Sequence, residues 1–245
     1  MSVFASLVER LAELLQPLFH ASATAAAIVL FTALVRLAVH PLSRAAARGQ
    51  KARLRLTPHI NELRTKYGKD PERLREALTK LYAKEKTSPL SGCLPSLLQL
   101  PAFFLMYYLF SSPSIGGAPN GLLGHTLLGA PLADRWTDAL DHGGLLGAAG
   151  LVYLALFALV TAVAVVNYRR TRQQLAAGPL PQDAPPGMGA MNSMLPLLSF
   201  ATLITVAVVP LAAALYVVTS TTWSAVERIV LYRDMPTAGA MSPAL

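Results

Sequence analysis

Apolar residues fall into long blocks along this chain, separated by polar and basic stretches. Residues 21–40, 93–110 and 145–166 each approach the roughly 20 residues that a helix needs to cross a bilayer. The apolar stretch 191–231 is too long for one crossing, since at about 1.5 Å per residue it would reach roughly 60 Å, twice the hydrocarbon thickness. Pro210 interrupts its helical ladder, which predicts two spans, 191–209 and 210–231. The expected fold class is all-α, a polytopic membrane protein with five transmembrane helices. Ahead of them, Leu7, Leu11, Leu14, Leu15 and Leu18 recur near helical spacing among Glu9, Arg10 and Glu13. This pattern, without a basic start, predicts an interfacial helix over 1–20 rather than a cleaved signal.

The polar stretches differ from one another. Segment 41–88 carries thirteen Lys and Arg residues, segment 111–144 only Arg135, and segment 167–190 Arg169, Arg170 and Arg172. Positive charge stays on the cytoplasmic side, so 41–88, 167–190 and the tail 232–245 are expected inside and the 111–144 loop outside, with the N-terminus out and the C-terminus in. Within 41–88, Leu56, Ile60, Leu63 and Tyr67 form one apolar stripe, and Leu74, Leu78, Leu81 and Tyr82 a second. Thr57-Pro58 reads as an N-cap and first helical residue, and residues 67–71 as a turn. The expected element is a cytoplasmic antiparallel helical hairpin.

Composition narrows the class. The chain is 53% hydrophobic and 14% charged, where soluble domains carry about a quarter charged residues. Its net charge of +8 lies between apolar blocks, a pattern for anionic headgroups and topology rather than specific nucleic acid. Cys93 is the only cysteine, so no intrachain disulfide and no cysteine metal site form. The five histidines are dispersed, and phosphate-binding glycine loops, metal-ligand spacings and nucleophile elbows are missing; an enzyme is not expected, and neither is a cofactor.

Arg36 is the most informative residue, because it stands inside an apolar span. It lies roughly 22 Å along the axis from residue 21, toward the cytoplasmic end. A charge at mid-bilayer costs about 2.5–3.5 kcal/mol, so such a residue faces protein or water, or snorkels to the headgroups. Thr32, Arg36, His40 and Ser43 share one face. Ser96 and Gln99 share a face of the second span, between Pro95 and Pro101. The third span offers Thr161. Ser199, Thr202 and Thr205 line the fourth, and Tyr216, Thr219, Trp223 and Glu227 the fifth. Each row alone is open to reading as interhelical packing. Together, around Arg36, they suggest a shared hydrophilic groove.

Residues 88–107, Ser-Pro-Leu-Ser-Gly-Cys-Leu-Pro-Ser-Leu-Leu-Gln-Leu-Pro-Ala-Phe-Phe-Leu-Met-Tyr, closely resemble the YidC family of membrane protein insertases. The resemblance extends to 31–42, 58–67 and 78–82, and more weakly to 191–200 and 210–216. It implies a short five-span bacterial member in the plasma membrane. Its groove would hold Arg36, Thr32, Gln99, Ser96, Thr161, Ser199, Thr202, Tyr216 and Thr219 and receive polar, often acidic, client segments without ATP. Client membrane proteins and the lipid bilayer are the implied partners, with the Sec translocon and, through the basic hairpin, the ribosome as further candidates. The last-span block departs from the family pattern, with Ala and Val where Gly and Trp are usual. Two other readings remain: an assembly factor for membrane complexes without insertion activity, and a small-solute transporter using Arg36 as an anion site.

Overall fold

The computed structural model describes residues 2–68, 70–85, 104–141, 143–176 and 194–231, and these are mostly helical. Helix α1 (Ser2–Phe19) packs along the start of α2 (Ala23–Tyr67), and a 3₁₀ turn, His20–Ser22, joins them. The inward face of α1 is Ala5, Val8, Leu11, Ala12 and Leu15, while Leu7, Leu14 and Leu18 point outward. The helix is thus apolar on two sides, and the leucine spacing alone does not separate them.

Helix α2 corrects one expectation. No boundary lies at Thr57-Pro58; the helix runs unbroken through Pro41 and Pro58 for 45 residues. That is about 67 Å, more than twice the hydrocarbon thickness, so its basic C-terminal part projects beyond the apolar part. Each interior proline removes one backbone bond and crowds the carbonyl four residues earlier. The helix survives because Ala, Arg, Leu and Lys, all strong helix formers, dominate residues 44–56. After Gly68, Asp70 caps α3 (Pro71–Lys84) by accepting the Arg73 N–H at 3.1 Å. Helices α2 and α3 touch; Leu56 and Ile60 are buried, and Leu74, Leu78, Leu81 and Tyr82 half-buried. The opposite face of α3 is solvated, where Lys80 bonds Glu76 at 2.6 Å and holds that carboxyl below its usual range.

Of the second expected span, residues 104–111 are described; they are helical and form α4. The following loop is an ordered structure and the only departure from all-α architecture among the described residues. It contains two antiparallel hairpins of two-residue strands: β1 (Ser114–Ile115) with β2 (Ala118–Pro119), and β3 (Thr126–Leu127) with β4 (Ala130–Pro131). Gly116 and Gly117, at φ 61° and 86°, make the first turn, a geometry that needs two left-handed residues. Buried Asn120 ties the loop to α4: its Nδ2 donates to the carbonyls of Leu109 (2.8 Å) and Ser112 (2.9 Å), and its Oδ1 accepts from the Leu122 N–H (3.2 Å). The short α5 (Trp136–Asp141) is clamped onto α6 (Ala148–Ala176) by Trp136 against Tyr153 and Phe157, and the Tyr153 hydroxyl donates to the Asp134 carbonyl at 2.8 Å.

The final helices meet at Pro210. A 3₁₀ segment, Leu195–Phe200, leads into α7 (Ala201–Val208); Val209 is extended, and α8 (Leu211–Leu231) follows. Pro196 in the first turn of the 3₁₀ segment supplies no backbone donor there. Helix α8 is the centre of the bundle. Every residue from Leu211 to Val218 is buried, and α8 packs against α2, α6 and α7. Its first N–H groups are met by the preceding loop: Leu211 donates to the Asp134 carbonyl (2.8 Å) and Ala212 to the Leu132 carbonyl (3.0 Å). Among the described residues, two stretches are long and apolar enough to cross a membrane, Val3–Gly49 and Ala148–Gln173.

Asn120→Ala leaves two carbonyls and one N–H unpaired and lowers stability by about 1–3 kcal/mol, read as a fall in Tm of the detergent-solubilised protein. Pro58→Ala restores a bond within a continuous α2, so Tm rises; a fall would mean that a helix begins at Pro58.

Candidate functional site

Among the described residues, a small set reaches across between helices. Arg36, half-buried on α2, donates from Nε to the Ser220 hydroxyl of α8 at 3.0 Å, and a terminal guanidinium nitrogen donates to the same oxygen. Tyr216, one turn earlier on α8 and buried, hydrogen-bonds the Ser220 side chain and packs its ring near Phe110, with centroids 6.0 Å apart. One turn along α2, His40 Nδ1 meets Glu227 Oε1 at 2.5 Å, and the Glu227 side chain is only 11% exposed. These contacts form a polar seam between the largely apolar stretches of two helices.

Most other hydroxyls on these faces stay on their own helix. Thr32 is fully buried one turn before Arg36, and its hydroxyl donates to the Ile28 carbonyl at 2.7 Å. Thr202 donates to the Ser199 carbonyl, Thr205 to Ala201, Thr221 to Val217 and Ser224 to Ser220. A Ser or Thr in a helix commonly satisfies itself this way, so a row of hydroxyls is not yet a wet surface. Ser199, Thr202 and Thr219 are half-buried, and Thr161 is exposed on α6. Ser96 and Gln99 lie outside the described residues. Of the predicted groove residues, the structure brings Arg36 and Tyr216 together, with Thr32 stacked beneath Arg36 on its helix.

One residue and one pairing escaped the sequence reading. Ser220 lies one position from Thr219, on the row Tyr216, Ser220, Ser224 and Glu227; a rotation of one residue in the assigned face hid it. The His40–Glu227 pair joins positions 187 residues apart, so no local spacing could reveal it. The signal available was complementarity: Arg36 and His40 one turn apart on one helix, and a hydroxyl and a carboxylate two turns apart on another.

Among the described residues no cluster of His, Cys, Asp or Glu could hold a metal. The arrangement is a fixed cation at the edge of a packed helix pair, suited to attracting an anionic group.

Similarity to known proteins places the chain. The model of the 60Kd inner membrane protein family matches residues 15–238. Membrane protein insertase YidC of Thiobacillus denitrificans is 39% identical over 94 residues, 38% of this chain and 17% of that protein. The insertase of the same name from Prosthecochloris aestuarii is 35% identical over 138 residues, 56% of this chain and 22% of the relative. That of Streptomyces avermitilis is 26% identical over 227 residues, 89% of this chain and 53% of the relative. The chain therefore spans about half the length of these relatives, or less. With a match over nearly its whole length, the chain belongs to the 60Kd inner membrane protein family, the family of the YidC insertases.

Proposed function

We propose that this chain is a membrane protein insertase that receives a polar, acidic client segment at the Arg36 seam and releases the client's apolar helix into the bilayer. One observation carries the reading. The side chain holding Arg36 is a neutral hydroxyl, Ser220, while the carboxylate further along the same helix, Glu227, is engaged by His40. The guanidinium is thus oriented by a neutral oxygen, and Glu227, which also attracts it, is shared with His40, so part of its positive charge remains available to an incoming carboxylate. The names carried by the relatives point to the same activity.

The contacts also favour the five-span arrangement. Residues 36 and 40 of α2 meet residues 220 and 227 of α8 in the same chain sense, so the two helices run parallel there. The first and last of an odd number of spans do so. With the basic segment 41–88 inside, the N-terminus lies outside and the C-terminus in the cytoplasm of a bacterial cell. The projecting end of α2 with α3 then forms the cytoplasmic element that a client, or a ribosome delivering one, meets first. Ser96, Gln99, Thr161, Ser199, Thr202 and Thr219 complete the groove in this reading. The client's apolar helix drives its own release, because partitioning into lipid is downhill.

Insertion into liposomes holding only the purified protein tests this, with a single-span client whose external segment is either acidic or neutralised to amides. Native protein protects the acidic client from protease without the Sec translocon. Arg36→Ala lowers that yield roughly tenfold or more and affects the neutral client less, as loss of a charge-assisted contact does. Arg36→Lys retains part of the activity. No protection of either client by the native protein sinks the insertase reading; equal loss for both clients removes the electrostatic role.

A double-mutant cycle of His40→Gln and Glu227→Gln, read by thermal unfolding in detergent, gives a coupling of about 0.5–3 kcal/mol. Additive losses mean that the two side chains do not hold α2 to α8.

A further inference from the structure

Backbone strain in this protein is concentrated at one point. Among the described residues only two besides glycine adopt positive φ, His20 at 46° and Leu128 at 51°. They belong to segments that touch: the Leu128 N–H donates to the Ser22 hydroxyl at 3.3 Å, and β3 packs against the His20–Ser22 turn. Leu128 and Gly129, at φ 51° and 87°, are the two turn residues of the β3–β4 hairpin, where Asn or Gly is the usual first residue. A left-handed leucine is disfavoured, because its Cβ crowds the following carbonyl oxygen. Core packing does not explain it, since Leu128 is 72% exposed.

Its surroundings give the strain a use. A Cβ at Gly129 would lie 3.6 Å from the Ala148 side chain, so the hairpin tip bridges the start of α2 and the start of α6. Leu145 and Leu146 immediately precede α6 and are exposed, Leu146 by 85%. Leu18 and Phe19, just before the strained joint, are exposed as well. Beyond exposed His20, two membrane-length stretches carry exposed apolar flanks of their own, Val29, Leu30, Leu34 and Leu37 on α2 and Leu151, Leu154 and Leu159 on α6. Exposed apolar side chains are thus present past the helix ends as well as along them.

We propose that the β3–β4 hairpin tip, with Leu128 at its apex beside Leu145 and Leu146, is a lipid anchor that inserts at the headgroup–acyl boundary of the leaflet facing segment 111–144. Insertion there removes leucine surface from water, which offsets the strained turn. The anchor fixes the depth of the joint it is bonded to. Arg36 lies 13 residues after the first residue of α2, about 20 Å further along the axis, so the hairpin also sets the depth of the polar seam.

The test places an environment-sensitive fluorophore at Leu128→Cys, and separately at Leu146→Cys, in full-length protein whose only native cysteine is replaced (Cys93→Ser). Ala118→Cys, exposed on the other hairpin, serves as the aqueous control. The proteins are placed in phosphatidylcholine vesicles with lipids brominated either near the headgroup or at the chain end, and iodide is the aqueous quencher. Labels at 128 and 146 should emit to the blue of the label at 118. Shallow bromine should quench them several-fold more than chain-end bromine or iodide does. Position 146 lies outside the turn, so it reports even if the label at 128 disturbs the hairpin. Iodide quenching at 128 and 146 equal to that at 118 overturns the proposal. Labels shielded from bromine and iodide alike overturn it too, in favour of a protein partner. Insertion activity does not enter these readouts, so the anchor stands or falls apart from the insertase reading.

Discussion

A guanidinium placed in an apolar helix must be given a partner by the protein, and in this bundle that requirement orients everything around it. Contact with Ser220 fixes the rotation of α2, turning Ile28, Phe31 and Thr32 inward and Leu30, Leu34 and Leu37 outward. The His40–Glu227 contact, one turn further, fixes the register. Two polar contacts in sequence define both the angle and the stagger of a helix pair, which apolar side chains with interchangeable packing do less sharply. The neighbours of α8 then inherit this frame, because its buried half offers small Ala212, Ala213 and Ala214 for close approach.

The far end of α8 is held by a different device. Its first two N–H groups would be orphans in an apolar setting, and the carbonyls of Leu132 and Asp134 accept them. Those carbonyls sit in a loop that is itself fixed twice, by Asn120 to α4 and by the Trp136–Tyr153–Phe157 cluster to α6. Asp134 serves both ends of this linkage, since its carbonyl also accepts the Tyr153 hydroxyl. The loop is therefore a keystone between three helices rather than a tether, and a shift in it would be felt at Ser220, some nine residues along α8.

The parts of this structure that the chain announces are those governed by local chemistry. Pro210 ends one helix and precedes another because it offers no donor, and Arg36 is conspicuous because nothing else charged stands near it in its block. What stayed hidden depended on competition or on distance. Pro41 and Pro58 carry the same chemistry as Pro210, yet strong helix formers on both sides carry α2 through them. Threonine rows looked like a hydrated wall, but local bonding to carbonyls three and four residues back satisfies many of them. The hairpin at Gly116-Gly117 had a turn signal that the expectation of a plain loop passed over. The hairpin at Leu128-Gly129 had only half of one, because its first turn residue is the wrong kind for the conformation it holds.

The choice of Ser220 as the partner of Arg36 has an electrostatic consequence. A carboxylate at position 220 would form a partly buried ion pair, whose mutual attraction is offset by desolvation and which cancels the field outside it. A hydroxyl supplies one acceptor oxygen, enough to aim the guanidinium plane, and leaves the net charge intact. Glu227, the acidic group on the same helix, has His40 as its nearer partner, so cancellation from that side is shared. The outcome is a cation held in place by its neutral neighbour and destabilised by its apolar surroundings. An anionic group brought alongside it gains more than it would from a lysine or arginine already paired in water, because the low local polarity that penalises Arg36 alone strengthens its attraction to a counter-charge. The feature that makes this residue expensive to place in the helix is thus the same one that strengthens its attraction to an anionic group.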